Sequence, residues 1–196
     1  PLMKSLTIIF ILLLNFLAIS NVSATSLLPI SLEQLSTRAS LIFYGTVTGN
    51  DVKKDDVSGR IATFTEFKII ELIKGETTET HTIKQIGGKD SNSNRHLFVH
   101  GVPEFIPGKN YVVFLPEKSA LGFSSPLGLH QGRFTQTTVG DEEFISNGRR
   151  LDQTATGTSA QVSTRASHVP LAVRANNPTQ ARLGDFINTV RSYNTK

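Results

Sequence analysis

The stretch Tyr111-Val112-Val113-Phe114-Leu115 is an unbroken run of apolar residues. A strand with one face in water alternates apolar and polar residues, so this run predicts a central strand that is buried on both faces. The turn-forming pair Pro107-Gly108 precedes the run and separates it from the segment before. We therefore place residues 111–115 in the middle of a β-sheet.

Strand-like segments lie on both sides of this central run, rich in β-branched and aromatic residues. Gly49-Asn50-Asp51 is expected to end the first strand, and the charged residues 51–60 are expected to form a loop. Short strands with glycine and proline between them are typical of an antiparallel barrel or sandwich. The predicted strands are residues 41–48, 61–73, 80–86, 96–100, 111–115, 121–124, 129–137 and 142–146.

The predicted strand at residues 61–73 changes its pattern part-way. Alternate residues share one face in its first half: Thr63, Thr65, Phe67 and Ile69. The phase then slips, because Ile70 is apolar as well. An extra residue near Ile70, a β-bulge, would account for the slip and would bend the strand as a small barrel requires.

Two helices are predicted, one at each end of the strands. Ser31 and Gln34 fit a capping box, which predicts a helix from residue 32 to about residue 40. Asn177-Pro178 resembles an N-cap followed by proline at the first helical position. The helix predicted after it, in a terminal unit of residues 177–196, carries an apolar stripe that we expect to dock on the strands: Leu183, Phe186, Ile187, Val190 and Tyr193.

Residues 152–176 are rich in Ser, Thr, Ala and Gln and lack aromatic residues, which predicts a flexible linker. The chain as a whole has 20 Lys and Arg against 16 Asp and Glu, but residues 25–151 contain 14 of each sign. The excess of positive charge therefore lies outside the predicted strands. A nucleic-acid-binding domain normally carries a basic face on its folded body, so we expect no nucleic-acid partner.

The first 24 residues have the three parts of a secretory signal peptide. Lys4 supplies the positive start, residues 6–19 the apolar middle, and Val22-Ser23-Ala24 the small residues before a cleavage site. The apolar run is shorter than the roughly 20 residues that span a bilayer, although an uncleaved anchor is the alternative. We expect cleavage after Ala24, export to the periplasm or medium, and no membrane span afterwards. The absence of cysteine rules out disulfides and thiolate metal sites.

Several stretches, taken in order, resemble a group of uncharacterised bacterial exported proteins. They are residues 41–47, 65–75, 101–109, 111–115 and the sequence Leu129-His130-Gln131-Gly132-Arg133-Phe134. The group resembles the OB-like barrel of netrin-like modules and tissue inhibitors of metalloproteinases. The resemblance implies a mainly β fold, with a five- to six-stranded OB-like antiparallel barrel over residues 25–151. Those inhibitors chelate a protease zinc through an N-terminal cysteine, which this chain lacks.

The sequence contains no established catalytic or metal-binding motif. His96 and His100 are four apart on a predicted strand, which places them roughly 13 Å from each other, too far to share one ion. There is no Gly-x-Ser-x-Gly, and Gly87-Gly88-Lys89 lacks the spacing of a phosphate-binding loop. We expect no metal and no cofactor.

These observations favour an exported binding or interaction module that is not an enzyme. Its partner is expected to be another exported protein or a component of the cell envelope. The alternatives are an inhibitor of a co-exported protease that acts without zinc chelation, and a hydrolase-type accessory enzyme with a site assembled from distant polar residues. The surface residues predicted to contact a ligand are His100, Glu104, His130, Gln131 and Arg133.

Overall fold

The computed structural model describes residues 28–91, 93–151, 171–174 and 177–195. The predicted signal peptide, residues 1–24, lies outside these residues, as do residues 152–170 of the predicted linker. No helix in the described ranges is both long enough and apolar enough to cross a membrane.

The fold is mainly β, with one helix before the strands and one after them. The helices are α1 (Leu32–Arg38) and α2 (Leu183–Ser192), and a 3₁₀ turn spans Leu129–Gly132. The first strands are β1 (Leu41–Lys54), β2 (Ile61–Lys74), β3 (Thr80–Ile86), β4 (Gly88–Asp90) and β5 (Arg95–Leu97). The remaining strands are β6 (Asn110–Leu115), β7 (Arg133–Val139), β8 (Glu142–Ser146), β9 (Val173–Arg174) and β10 (Asn177–Arg182).

Eight of these strands form one antiparallel sheet in the order β3-β2-β1-β6-β7-β8-β10-β9. Strands β4 and β5 pair separately as a small hairpin. Within the described residues the two edge strands, β3 and β9, do not pair with each other, so the sheet is not closed into a barrel.

The predicted bulge in β2 is confirmed. Tyr44 of β1 pairs with Glu71, and the next residue, Gly45, pairs with Ile69, which leaves Ile70 as the extra residue. The register also shifts between Val47 and Gly49 on β1. Such bulges bend a strand pair and increase its twist.

Strand β6 is buried on both faces, as its unbroken apolar sequence predicts. Val112 and Phe114 belong to a core on one side of the sheet, together with residues of α1, α2, β7 and β8. Tyr111, Val113 and Leu115 belong to a second core on the other side, formed with β1, β2 and β3. The face that carries this second core is called the second-core face below.

Segment 116–128 connects the middle of the sheet to its β3 edge. The backbone N–H of Ser124 donates to the carbonyl oxygen of Lys84 on β3, at 3.0 Å. The backbone N–H of Leu127 donates to the carbonyl oxygen of Phe114 on β6, at 2.9 Å. The strand predicted at residues 121–124 is therefore wrong, because this segment bonds to the sheet only at single positions. It covers part of the β3 edge, which would otherwise expose unpaired backbone groups.

The capping box that begins α1 is present as predicted. The Ser31 hydroxyl accepts from the backbone N–H of Gln34, and the Gln34 side chain accepts from the backbone N–H of Ser31, both at 3.1 Å. The helix ends at Arg38, two residues before the predicted end.

The predicted start of the C-terminal helix is wrong. Residues 177–182 form β10, and α2 begins at Leu183. Ala181 and Arg182 pair with Ile145 and Phe144 of β8, and Ala181 is fully buried there. Pro178 lacks an N–H donor but lies near the start of the strand, where a proline is tolerated. The end of the predicted linker also joins the fold, since Leu171 is buried and Val173–Arg174 forms β9.

Candidate functional site

A cleft of about 370 Å³ opens at one end of the second-core face. Its floor is formed by the last residues of β1, the first residues of β2 and the end of β3. The β4–β5 hairpin and the segment at residues 97–105 form its walls. The volume lies within the range of natural small-molecule sites, roughly 300–1,000 Å³.

The floor of the cleft is a polar patch on a face that is otherwise apolar. Deeper along this face, Val47 pairs with Phe67, and both are buried in the second core. Towards the cleft, Asn50 pairs with Thr65, and Thr63 pairs with Gln85 on β3. The sheet therefore changes from hydrophobic to hydrogen-bonding side chains where the cleft begins.

Most polar side chains of the floor are held by bonds to each other or to the backbone. The Thr65 hydroxyl donates to the Asn50 side-chain oxygen, at 2.7 Å. The Asn50 side-chain amide donates to the carbonyl oxygen of Phe105, at 2.7 Å. The Thr63 hydroxyl donates to the carbonyl oxygen of Gly87, also at 2.7 Å. Each threonine has used its single hydroxyl hydrogen, so only its oxygen lone pairs remain for a ligand.

Gln85 differs from the other floor residues because its amide nitrogen has no partner. The residue is 3% exposed, and Nε2 makes no hydrogen bond within the described part of the chain. Leaving a buried donor unsatisfied costs about 1–3 kcal/mol, and buried polar groups in proteins are almost always bonded. Gln85 lines the cleft, so a molecule in the cleft is a source of the missing acceptor.

Gly88 allows the hairpin to pass close over the floor. A Cβ atom at this position would lie 2.6 Å from both the Thr63 hydroxyl oxygen and a methyl carbon of Val52. Its φ of 128° is also one that other residues rarely adopt. The pair Gly87-Gly88 does not have the sequence of a phosphate-binding loop. Its role here is to let the hairpin wall lie close to the floor of the cleft.

An exposed aromatic side chain stands at the rim of the cleft. Phe98 is 72% exposed, and its ring centroid lies 5.6 Å from that of His100 and 6.4 Å from that of His96. Lys89 and Glu104 also line the opening, and both are exposed. The rim thus presents aromatic surface and one charge of each sign, whereas the floor has no charged side chain.

A histidine at the apolar end of the second-core face is separate from the cleft. His81 lies 5.5 Å from the Phe43 ring centroid, and its Nδ1 contacts the Thr77 hydroxyl at 3.1 Å. Burial lowers the pKa of His81, and the positive charge of Lys118 lowers it further. Both effects favour the neutral imidazole, and the ring of His81 belongs to the packing around Phe43.

The structure brings two of the sequence-predicted site residues to the cleft opening. Glu104 lines the cleft, and His100 packs its ring near that of Phe98. Arg133 reaches the same segment from β7, because its Nη1 donates to the carbonyl oxygen of Glu104. The Arg133 guanidinium carbon also lies 5.8 Å from the Tyr111 ring centroid. Arg133 thus anchors the 101–105 segment on the sheet.

The other two predicted site residues lie in the 3₁₀ turn. His130 is exposed there and does not line the cleft. Gln131 is 4% exposed, and its side chain accepts from the backbone N–H of Ile30 at 2.8 Å and donates to the carbonyl oxygen of Leu28 at 3.1 Å. These bonds hold the segment before α1, so the geometry gives Gln131 a structural role. Gly132 follows it at a close approach, with a Cβ position 2.6 Å from the Leu127 carbonyl oxygen.

Sequence reasoning did not identify Gln85, Asn50 or Phe98 as site residues. A usable signal was present in Thr63 and Thr65, which share a strand face with the buried Phe67. Gln85 gives the same signal on β3, two residues after the buried Ile83. Polar residues in phase with a core face indicate either an internal hydrogen-bond network or a site.

Within the described ranges, no group of three or more His, Asp or Glu residues is placed to hold a metal ion. No protein-family model matches the sequence, and no curated protein matches it.

Proposed function

We propose that this protein is a binding module that is not an enzyme and that takes a small uncharged polar molecule into the cleft. The observation that carries the proposal is the buried amide of Gln85, a residue that lines the cleft and whose Nε2 has no partner among the described residues. A bound molecule with an acceptor atom would supply the missing hydrogen bond. An unsatisfied donor lowers the stability of the free protein, and the complex recovers that free energy when the ligand accepts the hydrogen bond.

The chemistry of the floor supports binding over catalysis. Thr63, Thr65 and Gln85 have no group that ionises near pH 7, and the threonine hydroxyl hydrogens are donated to neighbouring oxygens. The ionisable groups that line the cleft, including Lys89, His96 and Glu104, are exposed. A general acid or base is normally buried or paired so that its pKa suits the reaction.

We further propose that the sheet is an open form of an OB-like barrel related to that of netrin-like modules. The neighbour order β3-β2-β1-β6-β7 and the bulged, bent β1–β2 pair support this relationship. OB-folds are five-stranded, partly open barrels. Segment 116–128, which bonds to both β3 and β6, would take the place of direct closure by strand pairing.

Export is part of the proposal and rests on the sequence alone. Lys4, the apolar residues 6–19 and the small residues Val22 and Ala24 have the order of a cleaved signal peptide. The ligand would then be a molecule met outside the cytoplasm.

Chemical-shift mapping with small uncharged probes tests the proposed site. Acetamide, isopropanol and phenol are titrated into isotope-labelled protein, and backbone amide shifts are followed. We expect the shifts to concentrate at Thr63, Thr65 and Gln85, and to be lost in Gln85→Met. Shifts that concentrate elsewhere, or that are the same in Gln85→Met, would contradict the proposal.

A further inference from the structure

The hydrogen-bonding pattern of the floor restricts the ligand. Gln85 Nε2 offers a donor and therefore needs an acceptor on the ligand. Thr63 and Thr65 have already donated their hydroxyl hydrogens, so they offer acceptors and need a donor on the ligand. An amide group carries both, a carbonyl acceptor and an N–H donor, within a few ångströms of each other.

The apolar and charged groups restrict the ligand further. Val52 and Phe105 line the cleft beside the polar patch, which suits a small apolar substituent such as a methyl group. The charged side chains at the opening, Lys89 and Glu104, have opposite signs and are exposed. A charged ligand would lose hydration on entering without gaining a counter-charge on the floor.

Phe98 supplies a platform beside the opening. Phe98 is 72% exposed, and exposing that much apolar surface to water is unfavourable in free energy. Its ring is flanked by the rings of His96 and His100. Aromatic faces bind flat apolar surfaces, including the C–H face of a sugar ring. A ring lying on Phe98 would leave its substituent free to enter the cleft.

We infer that the ligand is an N-acetylated sugar whose acetamido group enters the cleft and whose ring lies on Phe98. This inference rests on the proposed binding function and names the ligand class of the same site. The acetamido carbonyl accepts from Gln85, its N–H donates to a threonine oxygen, and its methyl group contacts Val52 or Phe105. The cleft volume of about 370 Å³ is large enough for the acetamido group.

Calorimetric titration with N,N′-diacetylchitobiose tests the inference, with cellobiose as the matched sugar that lacks acetamido groups. We expect the acetylated dimer to bind at least about tenfold more tightly than cellobiose. This ratio corresponds to the free energy of one hydrogen bond and its neighbouring apolar contact, which cellobiose cannot make. Gln85→Met should weaken binding roughly tenfold, and Phe98→Ala by a similar factor. Phe98 is exposed, so its replacement leaves the core intact.

Gln136→Met is the control variant. Gln136 lies on β7, outside the cleft lining, and its amide donates to Thr138 at 3.0 Å and to Glu143 at 3.3 Å. Binding by this variant should equal that of wild type. Equal affinity for the two sugars, or no binding of the acetylated dimer, would overturn the inference.

Failure of the ligand class and failure of the proposed function give different results. If the sugar does not bind but acetamide and phenol still shift the cleft residues in a Gln85-dependent way, only the ligand class is wrong. If neither binds, both proposals fail. Co-sedimentation with insoluble chitin and with purified peptidoglycan distinguishes the polymers that carry this sugar. A protein that binds the dimer but co-sediments with neither polymer would have a free oligosaccharide as its ligand.

Discussion

Asp55 and Lys84 form an ion pair that is almost closed off from solvent, with side chains 6% and 11% exposed. Lys84 Nζ lies 2.8 Å from Asp55 Oδ1 and donates to the carbonyl oxygen of Leu121 at 2.6 Å. The other Asp55 oxygen accepts from the backbone N–H of Ser58, which shapes the turn between β1 and β2. One carboxylate thus ties that turn to β3 and to segment 116–128.

We predict that this pair gives the protein a specific acid sensitivity. The hydrogen bonds from Lys84 and Ser58 lower the pKa of Asp55 from 3.8 to about 2. A folded-state pKa below the unfolded value stabilises the fold above about pH 4, and this stabilisation is lost as the pH falls towards 2. Asp55→Asn should therefore have a lower denaturant midpoint than wild type at pH 7, and the difference should shrink between pH 4 and pH 2.

Asp51→Asn is the matched control for this measurement. Asp51 pairs with Lys53 at 2.5 Å, but both side chains are more than half exposed, and such surface pairs contribute little. Its midpoint should follow that of wild type at every pH. A difference for Asp55→Asn that persists unchanged at pH 2 would contradict the assigned pKa.

The polar floor shows how far single residues could be interpreted from the sequence. The alternation of side chains along a strand correctly placed Thr63 and Thr65 on the same face as Phe67. The hairpin that crosses such a face decides whether the face ends in a packed core or in a cleft. Gly88 permits the crossing through close contacts with residues that are distant in sequence, so the local pattern does not predict it. The hydrogen bonds of Gln131 could not be predicted for the same reason, since its partners Ile30 and Leu28 are about a hundred positions away in sequence.

The lengths of several elements were also set by distant pairing. Gly49-Asn50-Asp51 was expected to end a strand, yet β1 continues to Lys54 because residues 49–54 pair with residues 61–66 of β2. The bulge at Ile70 was predictable because it disturbs a local pattern. The strand at 177–182 was not, because its pairing with β8 outweighs the helix-start signal of Asn177-Pro178.

Helix α2 provides a prediction on packing between elements. Phe186 is fully buried, with its ring centroid 4.7 Å from that of Phe134 and 6.3 Å from that of Phe114. Phe186→Ala removes these contacts and leaves a cavity, so the free energy of unfolding should fall by about 3 kcal/mol or more. Denaturant unfolding gives this value directly.

Asn188→Ala is the control on the same helix, because Asn188 is exposed. Its free energy of unfolding should stay within about 0.5 kcal/mol of wild type. Equal stability of Phe186→Ala and wild type would mean that α2 does not pack on the sheet in solution.

The whole molecule depends on its C-terminal residues for one of its two cores. Leu171, Ala181 and the apolar stripe of α2 join β1, β6, β7 and β8 in that core. Each large apolar side chain contributes about 1.5–3 kcal/mol on burial, and the total stability of a domain is only about 5–15 kcal/mol. A chain that ends at Leu151 should therefore lose cooperative unfolding.

A chain that ends at Asn194 is the control for this truncation, since it removes only two residues, of which Thr195 is exposed. It should unfold with the midpoint and slope of the full chain. If the chain ending at Leu151 does so too, the second core alone supports the fold, and the C-terminal residues are an accessory.

The proposed binding function requires that the Gln85 amide does not stabilise the fold. The most direct measurement is the free energy of unfolding of Gln85→Met against wild type, without ligand. Methionine has a similar size and no donor, so removing the unsatisfied amide should leave stability unchanged or raise it by up to about 1–3 kcal/mol. A loss of more than about 1 kcal/mol would show that the Gln85 amide stabilises the interior, and would contradict a binding site in the cleft.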